Sequence, residues 1–337
     1  MTPKNDSIPR RRALTVIAGV GAGLLVPGVA IGASSRRFEW RGSALGTEAS
    51  IILYHSDRCE AEKAIAASVD EIERLESEFS LYRAESAIVR LNRDGYLDAP
   101  SLDMVRLLSD CRRFGELSGG AFDVTVQPLW RLYADHFAVY PGDGSGPPRA
   151  DVEAARARVD YQRVSVGTNR IALEPGMEIT FNGIAQGAIT DRVADLLRRR
   201  GWSNVLVNLG EIRALDGRGD GSSWTVALDG TTDISGGRRR TVQLDNRAMA
   251  TSSGGGTRFD STGRHHHLFD PASGTSPTHY RSVTVTAPNA TTADALSTAI
   301  FTVSKGQAVQ ILSRAGRNND VAAWLTYTDG KTEFLQG

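Results

Sequence analysis

The chain has 337 residues, with 39 Lys plus Arg against 39 Asp plus Glu. That balance removes any electrostatic argument for nucleic acid as a partner, and a 40% hydrophobic content excludes a wholly disordered chain. The length admits one large domain or two small ones, with a substantial buried core.

The first 33 residues read as a targeting segment. Arg10-Arg11-Arg12 precedes an apolar Gly- and Ala-rich run, 13–33, ending in small residues suited to a signal peptidase. Arg11-Arg12-Ala13-Leu14 fits a twin-arginine export signal, so a periplasmic location is expected. The alternative is an uncleaved anchor helix that keeps the protein at the membrane; Pro27, the many glycines and the scarcity of Leu, Ile and Phe favour cleavage. Removing 1–33 takes away four positive charges and one negative, which leaves the mature chain at −3. No cysteine directly follows the apolar run, which argues against a lipoprotein anchor. Cys59 and Cys111 fall in helix-like segments, where two buried free thiols are expected, although an oxidising compartment permits a disulfide.

Residues 38–55 read as a turn-rich lead-in, Arg41-Gly-Ser-Ala-Leu-Gly-Thr47, followed by a short apolar β run at 49–54. Asp57 caps an amphipathic helix in which Ile65, Val69, Ile72, Leu75 and Phe79 recur at three- and four-residue steps. A polar loop including 86–92 follows and ends at Asn92-Arg-Asp-Gly95. A second helix, 101–117, turns Leu102, Val105, Leu108 and Leu117 inward. The stretch 120–130, GAFDVTVQPLW, is dense in special residues, and its plain reading is a strand and a Pro-initiated helix. Next come a flexible surface insertion at 141–148 (PGDGSGPP), a short helix at 151–160, and strands at 161–166, 170–173 and 177–181.

Asn182-Gly-Ile-Ala-Gln-Gly187 is a tight glycine turn before a helix at 188–200. Amides at such a helix start bind anions and glycines admit a phosphate, yet most turns of this kind bind nothing. A buried strand at 204–211, antiparallel strands at 224–228 and 240–244, and a small-residue loop at 250–256 follow. The chain ends with a strand at 281–286, a helix opening at Thr291-Thr292, and a last strand at 321–328. Hairpins mixed with helices argue for α+β rather than a doubly wound parallel sheet.

Two stretches carry candidate chemistry. The run 264–277, RHHHLFDPASGTSP, is a loop rigidified by Pro271, Gly274 and Pro277. Histidine titrates nearest neutrality, so one held on such a loop moves protons at physiological pH; a solvated His-rich loop or weak metal tract fits these residues equally. In 292–298, Asp294 and Thr298 are four apart and share a helix face. Joined by a backbone carbonyl, they form a hard-oxygen set suited to Mg²⁺ or Ca²⁺, although ordinary helix N-terminal chemistry also places Asp and Thr there.

Together these segments resemble the ApbE-type FAD:protein FMN transferases over 42–303, nearly the whole mature chain. The resemblance is carried by Leu45-Gly-Thr47; Phe79-Ser-Leu-Tyr82 with Ser86 and Leu91-Asn92; Gly120-Ala-Phe-Asp123; and Gly183-Ile-Ala-Gln-Gly187 with Asp191. It continues through Ser253-Gly254, His267-Leu-Phe-Asp-Pro271 with Ser273-Gly274, and Ala293-Asp-Ala-Leu-Ser-Thr298. Each is weak alone, but seven in the family's order are specific.

The resemblance implies an ApbE-like (T-fold-like) single catalytic domain, 34–337, of mostly antiparallel sheet packed with helices. It implies transfer of FMN from FAD, through a phosphoester, onto a threonine of a partner flavoprotein with release of AMP. Leu45, Tyr82, Ala121, Phe122, Asp123 and Leu268 would surround FAD, with Thr180 and Gln186 beside them. Mg²⁺ would rest on Asp294, Thr298 and the Gly183 carbonyl, His267 would be the base, and Asp270 would support its loop. His265 and His266 are then solvated neighbours.

The chain departs from the family pattern at Gln186, where lysine is usual; at Thr180, where an acid is common; and at Leu45, where methionine is usual. Glutamine bonds a phosphate without bringing charge. Gln186, Gly-Glu-Ile-Arg213 and the twin-arginine signal resemble the NosX branch, which implies the membrane flavoprotein NosR as acceptor. Gln186 also motivates a non-catalytic FAD-binding accessory protein as an alternative, and water in the acceptor's place would give an FAD pyrophosphatase.

Overall fold

The computed structural model describes residues 17–19, 35–232, 239–316 and 320–337. The expected signal segment lies outside them, apart from a three-residue strand, β1 (Ile17–Gly19). β2 (Arg36–Ala44) and β3 (Thr47–His55) pair over their full length. Leu45 and Gly46 close this hairpin with φ of 47° and 82°, the left-handed pair that a tight hairpin turn demands. The expected lead-in at 41–44 is therefore strand.

α1 (Arg58–Phe79) starts where the Asp57 carboxylate accepts the Cys59 and Glu60 amides. It buries Ile65, Ile72, Leu75 and Phe79, each contributing about 1.5–3 kcal/mol of apolar burial. Part of the expected polar loop is a helix, α2 (Ala87–Asp94): the Ser86 hydroxyl caps it and Gly95, at φ 76°, stops it. β4 (Tyr96–Asp98) leads to α3 (Leu102–Ser118). Its buried stripe is Met104, Leu107, Leu108, Cys111 and Phe114, a three-and-four spacing that leaves Leu102 61% exposed. Cys111 is buried and Cys59 exposed, both free thiols, so the expectation of two buried thiols holds for Cys111 alone.

Turns replace the expected strand before α4 (Gln127–Val139), which carries Pro128 in its first turn. After α5 (Arg149–Arg156), a 3-10 turn at Tyr161–Arg163 precedes β5 (Ser165–Val166) and β6 (Arg170–Ala172), which join β4 in a small sheet. Residues 177–181 form no strand. The Asn92 side chain brackets Ile179 through two 2.8 Å bonds, and Thr180 N donates to the Val124 carbonyl.

α6 (Ala185–Arg199) begins three residues earlier than expected. β7 (Val205–Asn208), β8 (Ile212–Leu215), β9 (Trp224–Thr232), β10 (Arg239–Leu244), β11 (Ala248–Ser253) and β12 (Ser282–Ala287) lead to α7 (Ala290–Phe301). A helix absent from the sequence reading, α8 (Lys305–Ala315), opens on the capping box Ser304 and Gln307. β13 (Ala322–Thr326) is followed by a further strand, β14 (Thr332–Gln336).

The main sheet has the order β1-β2-β3-β7-β8-β11-β12-β13-β14, every neighbour antiparallel. α7 lies on β11 and β12 and against α6, which packs on α1. The β9–β10 ribbon covers the opposite face through Trp224, Leu228 and Leu244, packed on Ala214 and Met249. β12 is buried at all six positions, as a central strand covered on both faces must be. The architecture is the expected α+β fold of antiparallel sheet and helices.

Candidate active site

The site is built on the start of α7. The Asn289 side chain accepts the Thr292 amide at 2.8 Å. From α6, the Asp191 carboxylate accepts the Ala290 and Thr291 amides, both at 2.8 Å, and the Thr291 hydroxyl at 2.7 Å. Asp191 also pairs with the Arg213 guanidinium at 3.3 Å. Burial raises the Asp191 pKa and lowers that of Arg213, yet each supplies the counter-charge the other needs. This clamp fixes α7 against α6.

One turn on, Asp294 is 3% exposed and its Oδ2 accepts the Gly187 amide at 2.9 Å. Burial, with Asp191's charge adding to it, pushes its carboxyl up to about 7 against the pull of that hydrogen bond. A further turn on, the Thr298 hydroxyl lies 3.2 Å from that of Ser252, which bonds Ser297 at 2.8 Å. An ideal Cβ on Gly183 would stand 2.9 Å from Thr298 Oγ1, so only glycine lets this main chain come so close. Among the described residues no three His, Cys, Asp or Glu side chains group around a metal position. A cation here would meet one carboxylate, one hydroxyl and a main-chain carbonyl, hard oxygens suited to Mg²⁺. The buried Asp294 carboxylate, raised to about 7, is the negative charge such an ion would neutralise.

His267 lies on the facing loop. Its amide donates to the Thr257 carbonyl at 3.0 Å, and its Nδ1 is 3.2 Å from both the carbonyl oxygen and the amide of Thr257. With the proton on Nδ1 donated to that carbonyl, Nε2 keeps a free lone pair. Burial lowers the His267 pKa, which favours a neutral ring. The Asp270 carboxylate accepts the Ala272 and Ser273 amides at 3.0 and 3.2 Å, closing the turn in which Gly274 takes φ 71°.

The neighbouring histidines are not solvated as expected. His266 is 3% exposed, with Nε2 3.0 Å from the Pro277 carbonyl, and His265 packs on the rings of Tyr133 and Phe137. They brace the loop from behind.

These groups share one cleft of about 220 Å³. Of the anticipated site residues, Ala121, Phe122, Asp123, Thr180, Gly183, Gln186, His267, Leu268, Asp294 and Thr298 line it. Leu45, Tyr82 and Asp270 do not. Leu45 sits at the hairpin tip with its amide 2.8 Å from Glu76 Oε1, and Tyr82 is 74% exposed. The cleft reaches that hairpin through Gln186, whose Nε2 donates to Thr47 Oγ1 at 3.0 Å. Both Asp123 oxygens are engaged, by the Thr125 amide and hydroxyl and by the Tyr161 amide, so this carboxylate organises the wall. Sequence reading missed Glu211, whose Oε2 accepts the Thr251 amide at 3.2 Å, along with Asn182 and Trp130. The polar end of the 204–211 strand was the signal for Glu211. Three carboxylates and no Lys or Arg line the cleft.

The ApbE family model matches residues 45–325. A Haemophilus influenzae protein named FAD:protein FMN transferase is 28% identical over 263 residues, 74% of each chain. A Klebsiella pneumoniae protein of the same name is 28% identical over 303 residues, 87% of this chain and 82% of its own. Among solved structures, the apo flavinyl transferase ApbE of Pseudomonas stutzeri superposes with a TM-score of 0.72 at 27% identity, covering 90% of this chain and 94% of that one. The ApbE protein of Thermotoga maritima gives 0.75 at 26%, covering 88% and 96%. The motif order, the antiparallel fold and these matches agree: the chain belongs to the ApbE family.

Proposed function

We propose that the chain is an exported, Mg²⁺-dependent FAD:protein FMN transferase. The observation that carries this reading is that Asp294, Thr298, Gly183 and His267 line one cleft. A cleft lined by three carboxylates without a Lys or Arg repels a pyrophosphate unless a cation accompanies it. Mg²⁺, when bound, supplies charge neutralisation at the phosphate oxygens; Asp294, Thr298 and the Gly183 carbonyl would hold it.

In the transfer, the acceptor threonine oxygen bonds to the FMN phosphorus while the pyrophosphate bond to the adenylate breaks and AMP leaves. His267 Nε2 takes the proton of the incoming hydroxyl, a weak nucleophile without a base. Asp270 holds the loop that presents His267. The relatives' name supports FAD as donor and a protein as acceptor. Gln186, the 210–213 stretch and the twin-arginine signal support the NosX branch, with export to the periplasm and NosR as acceptor.

Mature protein incubated with FAD, Mg²⁺ and an acceptor domain should yield covalent in-gel flavin fluorescence that EDTA abolishes, with one AMP per FMN transferred. Absence of fluorescence with several acceptor domains would sink the proposal. AMP release without acceptor would identify a pyrophosphatase, and stoichiometric FAD binding without AMP an accessory protein.

A further inference from the structure

Beside the cleft lies a second groove of about 700 Å³. The two are joined: Thr251 and Ser253 line both, and consecutive residues divide them, His266 on the groove and His267 on the cleft. Their charges are opposite. Arg258 and Arg281 line the groove and no carboxylate does. Both arginines are exposed, and neither has an ion-pair partner among the described residues. Arg258 lies across two glycines, with Nη2 3.6 Å from an ideal Cβ at Gly255 and Cδ 3.4 Å from one at Gly263. Tyr280 also lines the groove; it is 4% exposed, and its buried hydroxyl has no hydrogen-bond partner among the described residues. A buried hydroxyl left unpaired costs about 1–3 kcal/mol.

We propose that this groove receives the acceptor polypeptide, as an extended acidic segment whose carboxylates pair with Arg258 and Arg281 while the adjoining threonine reaches His267. The inference rests on the transferase reading, which requires a second, macromolecular substrate at the base. The geometry fits a polypeptide, because an extended chain advances about 3.3–3.6 Å per residue. A segment anchored in the groove therefore delivers a hydroxyl to the cleft only a few residues from its acidic anchor. The pyrophosphate belongs with the oxygen set on the other side of the dividing loop.

The test uses the mature protein and short fluorescein-labelled peptides carrying one threonine preceded by aspartates, with Asn and Lys counterparts. Fluorescence anisotropy should show the aspartate peptide binding at least about tenfold more tightly than the lysine peptide. The double variant Arg258→Glu, Arg281→Glu should reverse that preference while FAD affinity, read from flavin fluorescence, stays unchanged. The milder Arg258→Gln, Arg281→Gln pair should lose binding several-fold and keeps the test readable if charge reversal disturbs folding. No binding of the aspartate peptide, equal binding of all three, or an equal loss of FAD affinity would overturn the proposal, the last by assigning the groove to the nucleotide. Charge-selective binding without any FMN transfer would instead leave the groove assigned and reject the transferase reading.

Discussion

Gly187 and Asp294 are in contact across the α6–α7 interface. The Gly187 amide donates to Asp294 Oδ2 at 2.9 Å, and an ideal Cβ on Gly187 would lie 2.8 Å from Asp294 Cβ and 2.4 Å from the Ala290 carbonyl oxygen. The glycine of the 183–187 turn is thus a packing requirement of the α6–α7 contact. Gly187→Ala must push α7 away, at a cost of about 1–3 kcal/mol for overpacking. Thermal unfolding should show that loss, with transfer activity falling further than stability because Asp294 moves with the helix. An alanine variant as stable and active as the parent would mean that the two helices separate freely.

The buried carboxylate gives the metal response a direction in pH. In the metal-free protein Asp294 keeps its proton to about 7, whereas its ordinary value is 3.8. The unfolded chain ionises first, so this group withdraws stability as pH rises from about 4 to about 7, and the loss persists above. Mg²⁺ competes with that proton. The rise in melting temperature on adding Mg²⁺ should therefore be larger at pH about 8 than at about 5.5. Asp294→Asn should abolish both the Mg²⁺ response and FMN transfer while leaving the metal-free protein at least as stable at pH about 8, since no charge is then buried. A Mg²⁺ response that survives the substitution would move the ion elsewhere.

The sequence made the wall of this site legible where local chemistry is self-contained. Asp294 and Thr298 share a helix face by spacing alone, whereas His267 was set apart from His265 and His266 only by the family resemblance. It did not show what depends on distant partners. His266 reads as polar, yet the Pro277 carbonyl and the Phe301 ring enclose it. Asp123 reads as a ligand-facing acid, yet Tyr161, 38 residues later, takes one of its oxygens. Residues 177–181 alternate like a strand, but their hydrogen-bond partners are the Asn92 side chain and the Val124 carbonyl. Glu211 ends a polar stretch that is visible in the sequence, but its partner, the Thr251 amide 40 residues later, is not.

His267 and Asp270 should separate in kinetics. Burial holds the His267 pKa below its ordinary 6.5, so the base form predominates at neutrality. Activity should rise with pH through a limb below that value and then level. His267→Gln should lower kcat/KM by about 10²–10⁴-fold and abolish the limb. Asp270→Asn keeps one oxygen for the Ala272 or Ser273 amide, and its main-chain bonds to Thr275 and Gly274 remain. It should cost about 1 kcal/mol of stability, with the acid limb in place. A pH profile from His267→Gln that still carries the limb would assign the base to another group.

Gln186 stands where a lysine is usual in the family, and its surroundings decide what lysine would do there. The amide donates to Thr47 Oγ1 at 3.0 Å and lies over Gly210, whose ideal Cβ would be 2.4 Å from Nε2. Gly210 has φ 102°, a conformation that side chains rarely adopt. The glycine therefore holds open the space in which the amide rests. Gln186→Lys adds one positive charge to a cleft lined by Asp123, Glu211 and Asp294. A charge-assisted bond to a phosphate contributes about 1.5–3 kcal/mol, so the KM for FAD should fall about tenfold. Little change in unfolding temperature is expected, because the Thr47 hydroxyl also accepts from an ammonium. Gly210→Ala should act in the opposite sense, straining the backbone and displacing the amide, with a higher KM for FAD. Should Gln186→Lys leave that KM unchanged, the side chain at 186 serves the hairpin at Thr47 and never meets the phosphates.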